Sequence, residues 1–177
     1  MGRLYKIKYK ILFILLFFTI SSQSQVSEYE YKAAFIERFT RFIEWPNTAN
    51  RDTFKIVILG DNPFDTSLDE IFKGTKIKNR YVELIYTENI DHLNRANLVF
   101  IANSERRRLT EILDILKDHP ILIIGDSRGY CKKGVHINMY VDDSYVRYEI
   151  NQNSIEKSGI KVSSLLFASA KIIETDE

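Results

Sequence analysis

Apolar and polar positions recur along the chain with two spacings, one typical of helices and one typical of strands. Residues 28–43 place apolar side chains three and four positions apart, which predicts a helix with a single apolar stripe. The members of this stripe are Tyr31, Ala34, Phe35, Phe39 and Phe42. The Trp45-Pro46 pair is expected to end the helix, because proline disfavours helical geometry in the residue before it.

Short, uniformly apolar runs alternate with further stretches of helical spacing. The runs predict buried strands at residues 54–59, 81–86, 98–101 and 121–124. Helical spacing predicts a helix over residues 64–72, capped by Gly74, and another after Ser104, whose hydroxyl is the expected N-cap. Helices that alternate with apolar strands favour a mostly parallel sheet covered by helices.

The end of the chain follows strand spacing. Residues 135–141 and 145–150 alternate apolar and polar side chains on either side of Asp142-Asp143-Ser144, which predicts an antiparallel hairpin. A short helical piece then ends at Gly159, and Ser163 is expected to cap a last helix over residues 164–173. The predicted fold class is α/β: a single three-layer domain with a mixed, mostly parallel sheet, a C-terminal antiparallel hairpin and helices on both faces.

The first 25 residues depart from this pattern. Four basic residues and no acid occupy positions 1–10, an apolar run interrupted only by Thr19 occupies positions 11–20, and small polar residues follow. This order is typical of a secretory signal peptide, and Ser24 is the expected cleavage site. The sequence therefore predicts a signal peptide at residues 1–24, a domain at residues 25–177 and a periplasmic location. A retained anchor is the less favoured alternative, because a bilayer span needs about 20 apolar residues.

Length and composition are those of one folded domain. The chain has 177 residues, of which 45% are hydrophobic, and its 11 Phe and 10 Tyr argue against disorder. Its formal charge is +1, and without the four leader bases 21 basic residues face 24 acidic ones, a charge of −3. A mildly acidic protein offers no electrostatic reason to expect binding to nucleic acid or to an anionic membrane.

Metal and thiol chemistry have weak support. The three histidines, His92, His119 and His136, lie far apart, so each is interpreted as a surface or loop residue, and neither a metal nor a cofactor is expected. Cys131 is the single cysteine and cannot form an intrachain disulfide. It is interpreted as a buried small hydrophobe, while an intermolecular bridge or a reactive thiol beside Lys132 remains an alternative.

Two strand-to-helix turns raise the question of catalysis. Gly60-Asp61-Asn62-Pro63 stands where a phosphate loop could begin, but no second glycine follows, so it is interpreted as a plain turn. Gly125-Asp126-Ser127 follows a strand, as the nucleophile does in one class of esterases. Such an enzyme needs a histidine base with an orienting acid, and no Asp-x-x-His follows. No catalytic residue is therefore predicted.

Arg106-Arg107-Arg108 is the only run of like charge after the leader. Nearby acids favour a solvated, partly self-paired face. A docking patch for an acidic protein surface is the alternative.

Four segments, in this order, resemble a known family. They read FTRFIEWP at residues 39–46, IVILGDNPF at 56–64, ILIIGDSRGYCKKG at 121–134 and RYEINQNSIEKSGIKVSSLLFA at 147–168. Together they resemble the YfiR-like group of periplasmic proteins over about residues 28–173. Each segment alone is weak, but four at consistent spacing are specific.

The resemblance implies a regulator rather than an enzyme. Members of the family repress the periplasmic part of an inner-membrane diguanylate cyclase and so restrain cyclic-di-GMP signalling. An outer-membrane lipoprotein can sequester them, and other members occur with sensor histidine kinases. Some members carry cysteine pairs, so redox control through an internal disulfide cannot operate in a chain whose single cysteine is Cys131.

Many residues in these segments also have a purely structural interpretation: Trp45 as a core plug, Asp61 and Asn62 as turn residues, and Asn151 as a cap. The candidate partner- or ligand-binding residues are Asp61, Asn62, Phe64, Asp126, Arg128, Tyr130, Arg106 and Arg107. Two hypotheses follow: an interaction module that holds a receptor inactive, or a small-molecule domain with a cleft near residues 60–64 and 126–129. A homodimer is left open.

Overall fold

The computed structural model describes residues 27–46 and 52–174. The predicted signal peptide lies outside these residues. The described α-helices are α1 (Glu28–Phe42), α2 (Ser67–Phe72), α3 (Leu109–Leu116), α4 (Gln152–Ser158) and α5 (Ser164–Ala168). The described strands are β1 (Ile43–Glu44), β2 (Thr53–Leu59), β3 (Lys76–Ile77), β4 (Arg80–Thr87), β5 (Leu98–Ile101), β6 (Leu122–Gly125), β7 (Ile137–Asp142), β8 (Tyr145–Asn151), β9 (Lys161–Val162) and β10 (Lys171–Ile173). Short 3-10 helices span Ile90–Arg95, Asn103–Arg107 and Cys131–Lys133.

Eight of the described strands form one sheet in the order β10-β8-β7-β6-β5-β2-β4-β3. The five strands from β7 to β4 are parallel to one another. β8 is antiparallel to β7, and β3 is antiparallel to β4, while β10 lies parallel to β8 at the far edge. β1 and β9 form a separate antiparallel pair in which Ile43 faces Val162. A single α/β domain with a mixed, mostly parallel sheet is thus confirmed.

Both faces of the sheet are buried, which explains why its central strands are apolar throughout. On β2, Phe54, Ile56 and Ile58 belong to the core shared with α1, α2 and α5. Val57 and Leu59 belong to the core shared with α3. The chain therefore builds three layers, with helices on both faces as predicted.

Helix α1 has nearly the predicted bounds but buries a different face. The Oγ of Ser27 caps it by accepting the Glu30 N–H at 3.2 Å. Tyr31 is 53% exposed and Ala34 is also exposed, so the predicted stripe is wrong at these two positions. The buried side chains are Lys32, Ala33, Ile36, Phe39 and Thr40. Lys32 and Thr40 are polar and give no apolar signal, and so the sequence pattern indicated the wrong phase.

Two further predictions about helices are wrong. Ser104 does not cap a helix, because a 3-10 turn precedes α3 and the Ser104 Oγ accepts the Asp61 N–H at 2.9 Å. Ser163 does cap α5 by accepting the Leu165 N–H, but α5 ends at Ala168 and the strand β10 replaces the second half of the predicted helix. A three-residue strand is too short to show a period.

The predicted hairpin is confirmed. Asp142 pairs with Tyr145 across a two-residue loop, Asp143-Ser144, whose φ values of 47° and 66° are the left-handed geometry of such loops. The predicted roles of Asn151 as a cap and of Gly159 as a positive-φ terminator, with a φ of 76°, are confirmed on α4.

Trp45 fixes the exit of α1 against the sheet. Its ring packs edge-on against Phe54 with centroids 4.9 Å apart, and its indole N–H donates to the Asn97 carbonyl at 2.8 Å. Its predicted role as a core plug is confirmed.

Candidate functional site

All eight candidate residues lie on segments that follow strands at one edge of the sheet. Asp61, Asn62 and Phe64 follow β2, and Arg106 and Arg107 follow β5. The residues that follow β6 are Asp126, Arg128 and Tyr130. Because these three strands are parallel and adjacent, their carboxyl ends meet, and this is the edge at which open α/β sheets bind ligands.

Burial divides the candidates into two groups. Phe64 and Tyr130 are each 1% exposed, and the Asp126 side chain is 3% exposed. These side chains build the edge and are not presented to solvent. The exposed members are Asp61, Asn62, Arg106, Arg107 and Arg128. Only this second group has side chains that a partner could contact. That any of them binds a partner or a ligand remains a prediction.

Asp126 is the centre of a buried ionic cluster. Its Oδ2 accepts hydrogen bonds from the Lys32 ammonium and the Tyr29 hydroxyl, each at 2.8 Å. Lys32 also pairs with Glu28, and its ammonium lies 4.4 Å from the centre of the Tyr29 ring. The Lys32 side chain is 3% exposed, like that of Asp126. The carboxylate is therefore neutralised within the chain and joins the start of α1 to the end of β6.

Tyr29 is held in its protonated form. Burial, followed by its hydrogen bond to the Asp126 carboxylate, raises the pKa of Tyr29 well above its usual value of 10. The hydroxyl is therefore a permanent donor to Asp126.

Tyr29 and Lys32 are absent from the candidates drawn from sequence. The available signal was the position of Lys32, four residues before Ile36 and four residues after Glu28 on the same helix.

The loop after β2 is shaped by its glycine. Gly60 has a φ of +94°, and a Cβ on it would lie 2.4 Å from the Ser104 Oγ. The Asn62 Oδ1 accepts the Phe64 N–H at 3.0 Å, which confirms its interpretation as a turn residue. Phe64 then packs edge-on against Tyr29, with ring centroids 5.4 Å apart.

Ser127 and His136 have structural partners. The Ser127 hydroxyl donates to the Asn103 Oδ1 at 3.0 Å. His136 is buried, contrary to its interpretation as a surface or loop residue, and its Nδ1 accepts the Ile123 N–H at 3.2 Å. Burial lowers the pKa of His136 to about 4. The imidazole is thus neutral near pH 7, and it supplies the acceptor for a backbone N–H of the buried strand β6.

Cys131 is fully buried, which confirms its interpretation as a small core residue. Its Sγ lies 3.4 Å from the Glu149 carbonyl oxygen. Burial, with a smaller contribution from the Glu149 carboxylate, raises the pKa of the thiol far above its usual value. The nearby lysines therefore do not activate it.

The arginine run is partly self-paired, as predicted. The Arg108 guanidinium lies 3.2 Å from the Glu105 carboxylate and 3.4 Å from that of Glu111. Arg106 and Arg107 are exposed and have no ion pair among the described residues.

Several grooves border α1, and two of them have aromatic walls. One, of about 540 Å³, is lined by Tyr29, Phe64 and Ile71 together with the acidic Glu30 and Glu70, and it adjoins the Asp126 cluster. The other, of about 490 Å³, lies between α1, the β7–β8 hairpin and the turn that enters β10.

Within residues 27–46 and 52–174, no group of three or more His, Cys, Asp or Glu side chains could hold a metal ion. No helix in these ranges is both long and apolar enough to cross a bilayer.

The sequence profile described as YfiR/HmsC-like matches residues 29–171. The chain belongs to the YfiR/HmsC-like family. Membership supports a regulatory role in the diguanylate cyclase pathway and a periplasmic location. Within this YfiR/HmsC-like domain, the segments at residues 56–64 and 121–134 supply the Gly60 turn and the Asp126 loop of the same sheet edge. No curated protein matches the sequence.

Solved structures share the fold of this YfiR/HmsC-like chain. A conserved domain protein from Vibrio cholerae O1 biovar El Tor aligns with a TM-score of 0.52 and 13% identity, over 85% of this chain and 60% of that one. An ABC domain in complex with L-Trp from Streptococcus pneumoniae aligns with a TM-score of 0.55 and 11% identity, over 82% of this chain and 62% of that one. The chain thus spans about three fifths of each protein, and at these identities the likeness concerns the fold alone.

Proposed function

We propose that this chain is a non-enzymatic periplasmic regulator that binds a membrane signalling receptor and restrains it. The receptor is the periplasmic region of an inner-membrane diguanylate cyclase. The family match over residues 29–171 carries the proposal. An outer-membrane lipoprotein that sequesters the regulator is a second expected partner, and no nucleic acid is expected.

The sheet edge supports binding rather than catalysis. Its buried carboxylate, Asp126, is satisfied by Lys32 and Tyr29, and its buried hydroxyl, Ser127, donates to Asn103. These groups are engaged in holding the loops, while exposed side chains project from the same loops. A rigid edge with exposed arginines is suited to docking, since arginine is enriched among the residues that dominate interface affinity.

Such a regulator controls its receptor by differential affinity. A binder shifts a two-state receptor only as far as it prefers one state, and a typical coupling of about 1–3 kcal/mol changes populations roughly 5–150-fold. No chemical step is needed.

The experiment is a gene deletion with complementation. Deletion is expected to raise the cellular level of cyclic-di-GMP, and complementation with the wild-type gene is expected to return that level to its original value. A triple variant, Arg106→Glu, Arg107→Glu and Arg128→Glu, is expected to fold but not to restore it. Lys117→Glu, a change of an exposed residue directly after the last residue of α3, serves as the control. Unchanged cyclic-di-GMP after deletion, with no cyclase crosslinked to the protein in membranes, would refute the proposal.

A periplasmic sensor domain that works with a histidine kinase is the second candidate. The groove of about 540 Å³ beside Tyr29 and Phe64 favours it, because its volume lies in the range of small-molecule sites. A ligand that binds the folded state raises the Tm. A metabolite library that includes L-tryptophan, the ligand named for the streptococcal structure, should give a specific increase, and a screen with no increase would favour the receptor-binding regulator over this candidate.

A further inference from the structure

The edge of β8 next to its hairpin loop is open within the part of the chain that the structure describes. β10 lies beside β8 but pairs only with Glu149, Ile150 and Asn151. Residues 145–148 pair with β7 on one side, and no described strand lies on the other. An unpaired strand edge offers its N–H and C=O groups to another chain.

The hairpin geometry identifies the free backbone groups. Because the loop has two residues, Asp142 and Tyr145 form a hydrogen-bonded pair. Hydrogen-bonded and non-bonded pairs alternate along an antiparallel ladder, so Val146 and Tyr148 direct their N–H and C=O groups away from β7. β10 takes one of these four groups, because its parallel pairing of Lys171 with Glu149 is made by the Lys171 N–H, which donates to the Tyr148 carbonyl, and by the Ile150 N–H, which donates to the Lys171 carbonyl. The N–H groups of Val146 and Tyr148 and the carbonyl of Val146 therefore face the open edge.

The same edge forms a wall of the groove of about 490 Å³. Apolar and aromatic residues line it, with Phe35 and Phe39 on α1 facing Val146 and Tyr148 on β8. The Tyr148 ring is fixed, because it packs 5.0 Å from the Phe39 ring and its hydroxyl donates to the Leu166 carbonyl at 2.9 Å. The groove wall is thus preformed.

The charge of the groove is one-sided. Arg38, Arg147 and Lys171 line it, and no acidic residue does. Arg147 lies 3.1 Å from the Asp142 carboxylate, whereas Arg38 and Lys171 have no ion pair among the described residues. In a domain whose expected net charge is −3, this surface is complementary to an acidic segment.

We propose that this groove docks an extended acidic segment of a partner protein, which adds as a strand to the open edge of β8. Side chains of an added strand point alternately to the two faces of the sheet. Those beside Val146 and Tyr148 lie under α1 and require apolar groups. Those beside Arg147 lie on the other face and favour Asp or Glu. The preferred segment therefore alternates apolar and acidic residues. The proposal rests on the proposed function only for the identity of the partner.

A library of random octapeptides displayed on phage, selected against the purified mature chain, tests this specificity. Alternating apolar and acidic sequences are expected to be enriched. The Kd of an enriched peptide labelled with fluorescein is measured by anisotropy. Two peptides are compared, each N-methylated on one of the two alternate sets of backbone nitrogens, and methylation of the set that faces β8 should weaken binding at least tenfold. The double variant Arg38→Glu, Lys171→Glu should also weaken it at least tenfold. Lys157→Glu, an exposed change on α4 outside the groove, should leave the Kd unchanged.

Several results would overturn the proposal. Enrichment of basic or non-alternating peptides would do so, as would binding that survives N-methylation. A second copy of the chain is the competing occupant: if the protein sediments as a dimer that Val146→Pro dissociates, β8 pairs with itself and the proposal is wrong. Proline there removes an outward N–H and keeps the β7 ladder.

Failure of the proposed function gives a different pattern. If the chain binds the peptide but does not alter cyclic-di-GMP, the docking groove is supported and the proposed receptor is refuted. If the Arg38→Glu, Lys171→Glu variant controls cyclic-di-GMP as well as the wild-type chain does, the proposed receptor is supported and the docking groove is refuted.

Discussion

Lys32→Met tests the buried ionic cluster directly. Methionine keeps the apolar stem of the lysine and removes its charge, leaving the Asp126 carboxylate at 3% side-chain exposure with the Tyr29 hydroxyl as its remaining side-chain donor. Breaking a buried pair by removing one partner costs about 3–5 kcal/mol, because the other charge is left uncompensated. Since Tyr29 still donates, we expect the lower end, about 3 kcal/mol. In a domain of this size that lowers the Tm by roughly 6–12 °C.

The measurement is urea and thermal unfolding followed by circular dichroism. Arg41→Met is the matched control, because Arg41 lies on the same helix and pairs with Glu37 at 2.8 Å but in solvent. This exposed pair should leave the Tm unchanged within error. The double variant Lys32→Met, Asp126→Leu removes both charges and should recover at least half of the loss. A Lys32→Met protein as stable as the control, or a double variant less stable than the single one, would refute the reasoning.

Three further predictions follow from buried or strained positions. Cys131→Ser should cost about 1–2 kcal/mol, and a thiol reagent at pH 8 should label Cys131 only after unfolding; fast labelling of the folded protein would contradict its burial. Gly60→Ala combines a positive φ with a Cβ that lies 2.4 Å from the Ser104 Oγ, whereas Gly74→Ala also has a positive φ but places its Cβ in open space. Gly60→Ala should therefore lower the free energy of unfolding in urea more than Gly74→Ala does. Equal decreases in the two variants would argue against the clash. Burial lowers the pKa of His136 from 6.5 to about 4, so the unfolded chain binds one more proton than the folded chain between these two pH values. The free energy of unfolding should therefore fall by roughly 3 kcal/mol as the pH falls from 6.5 to 4. A His136→Gln variant with the same dependence of unfolding on pH would contradict this.

The apolar strands and the hairpin could be predicted from sequence because their signals are local. The central strands are buried on both faces and show uninterrupted apolar runs, and the Asp143-Ser144 loop stands between two alternating segments. Short elements held by distant partners gave no such signal. β1 and β9 have two residues each and exist only because they pair with each other.

The candidate site shows the same division. The loops at the sheet edge could be located because each follows a recognisable strand. The state of Asp126 could not, because its partners Lys32 and Tyr29 lie more than 90 positions earlier in the chain. The same contact displaced the predicted stripe of α1, since a lysine that is neutralised by a distant carboxylate can occupy a core position.

The β1–β9 pair has a consequence for the order of folding. It joins the exit of α1 to the segment before α5, and Phe35 and Phe39 of α1 pack against Tyr148, so the packing of the first helix is completed only when the last third of the chain is present. Contacts of such high sequence separation form slowly. A chain that enters a translocation channel from its N-terminus could therefore not complete its fold until its C-terminal segment has crossed, and such a topology favours export of a chain that is not yet fully folded.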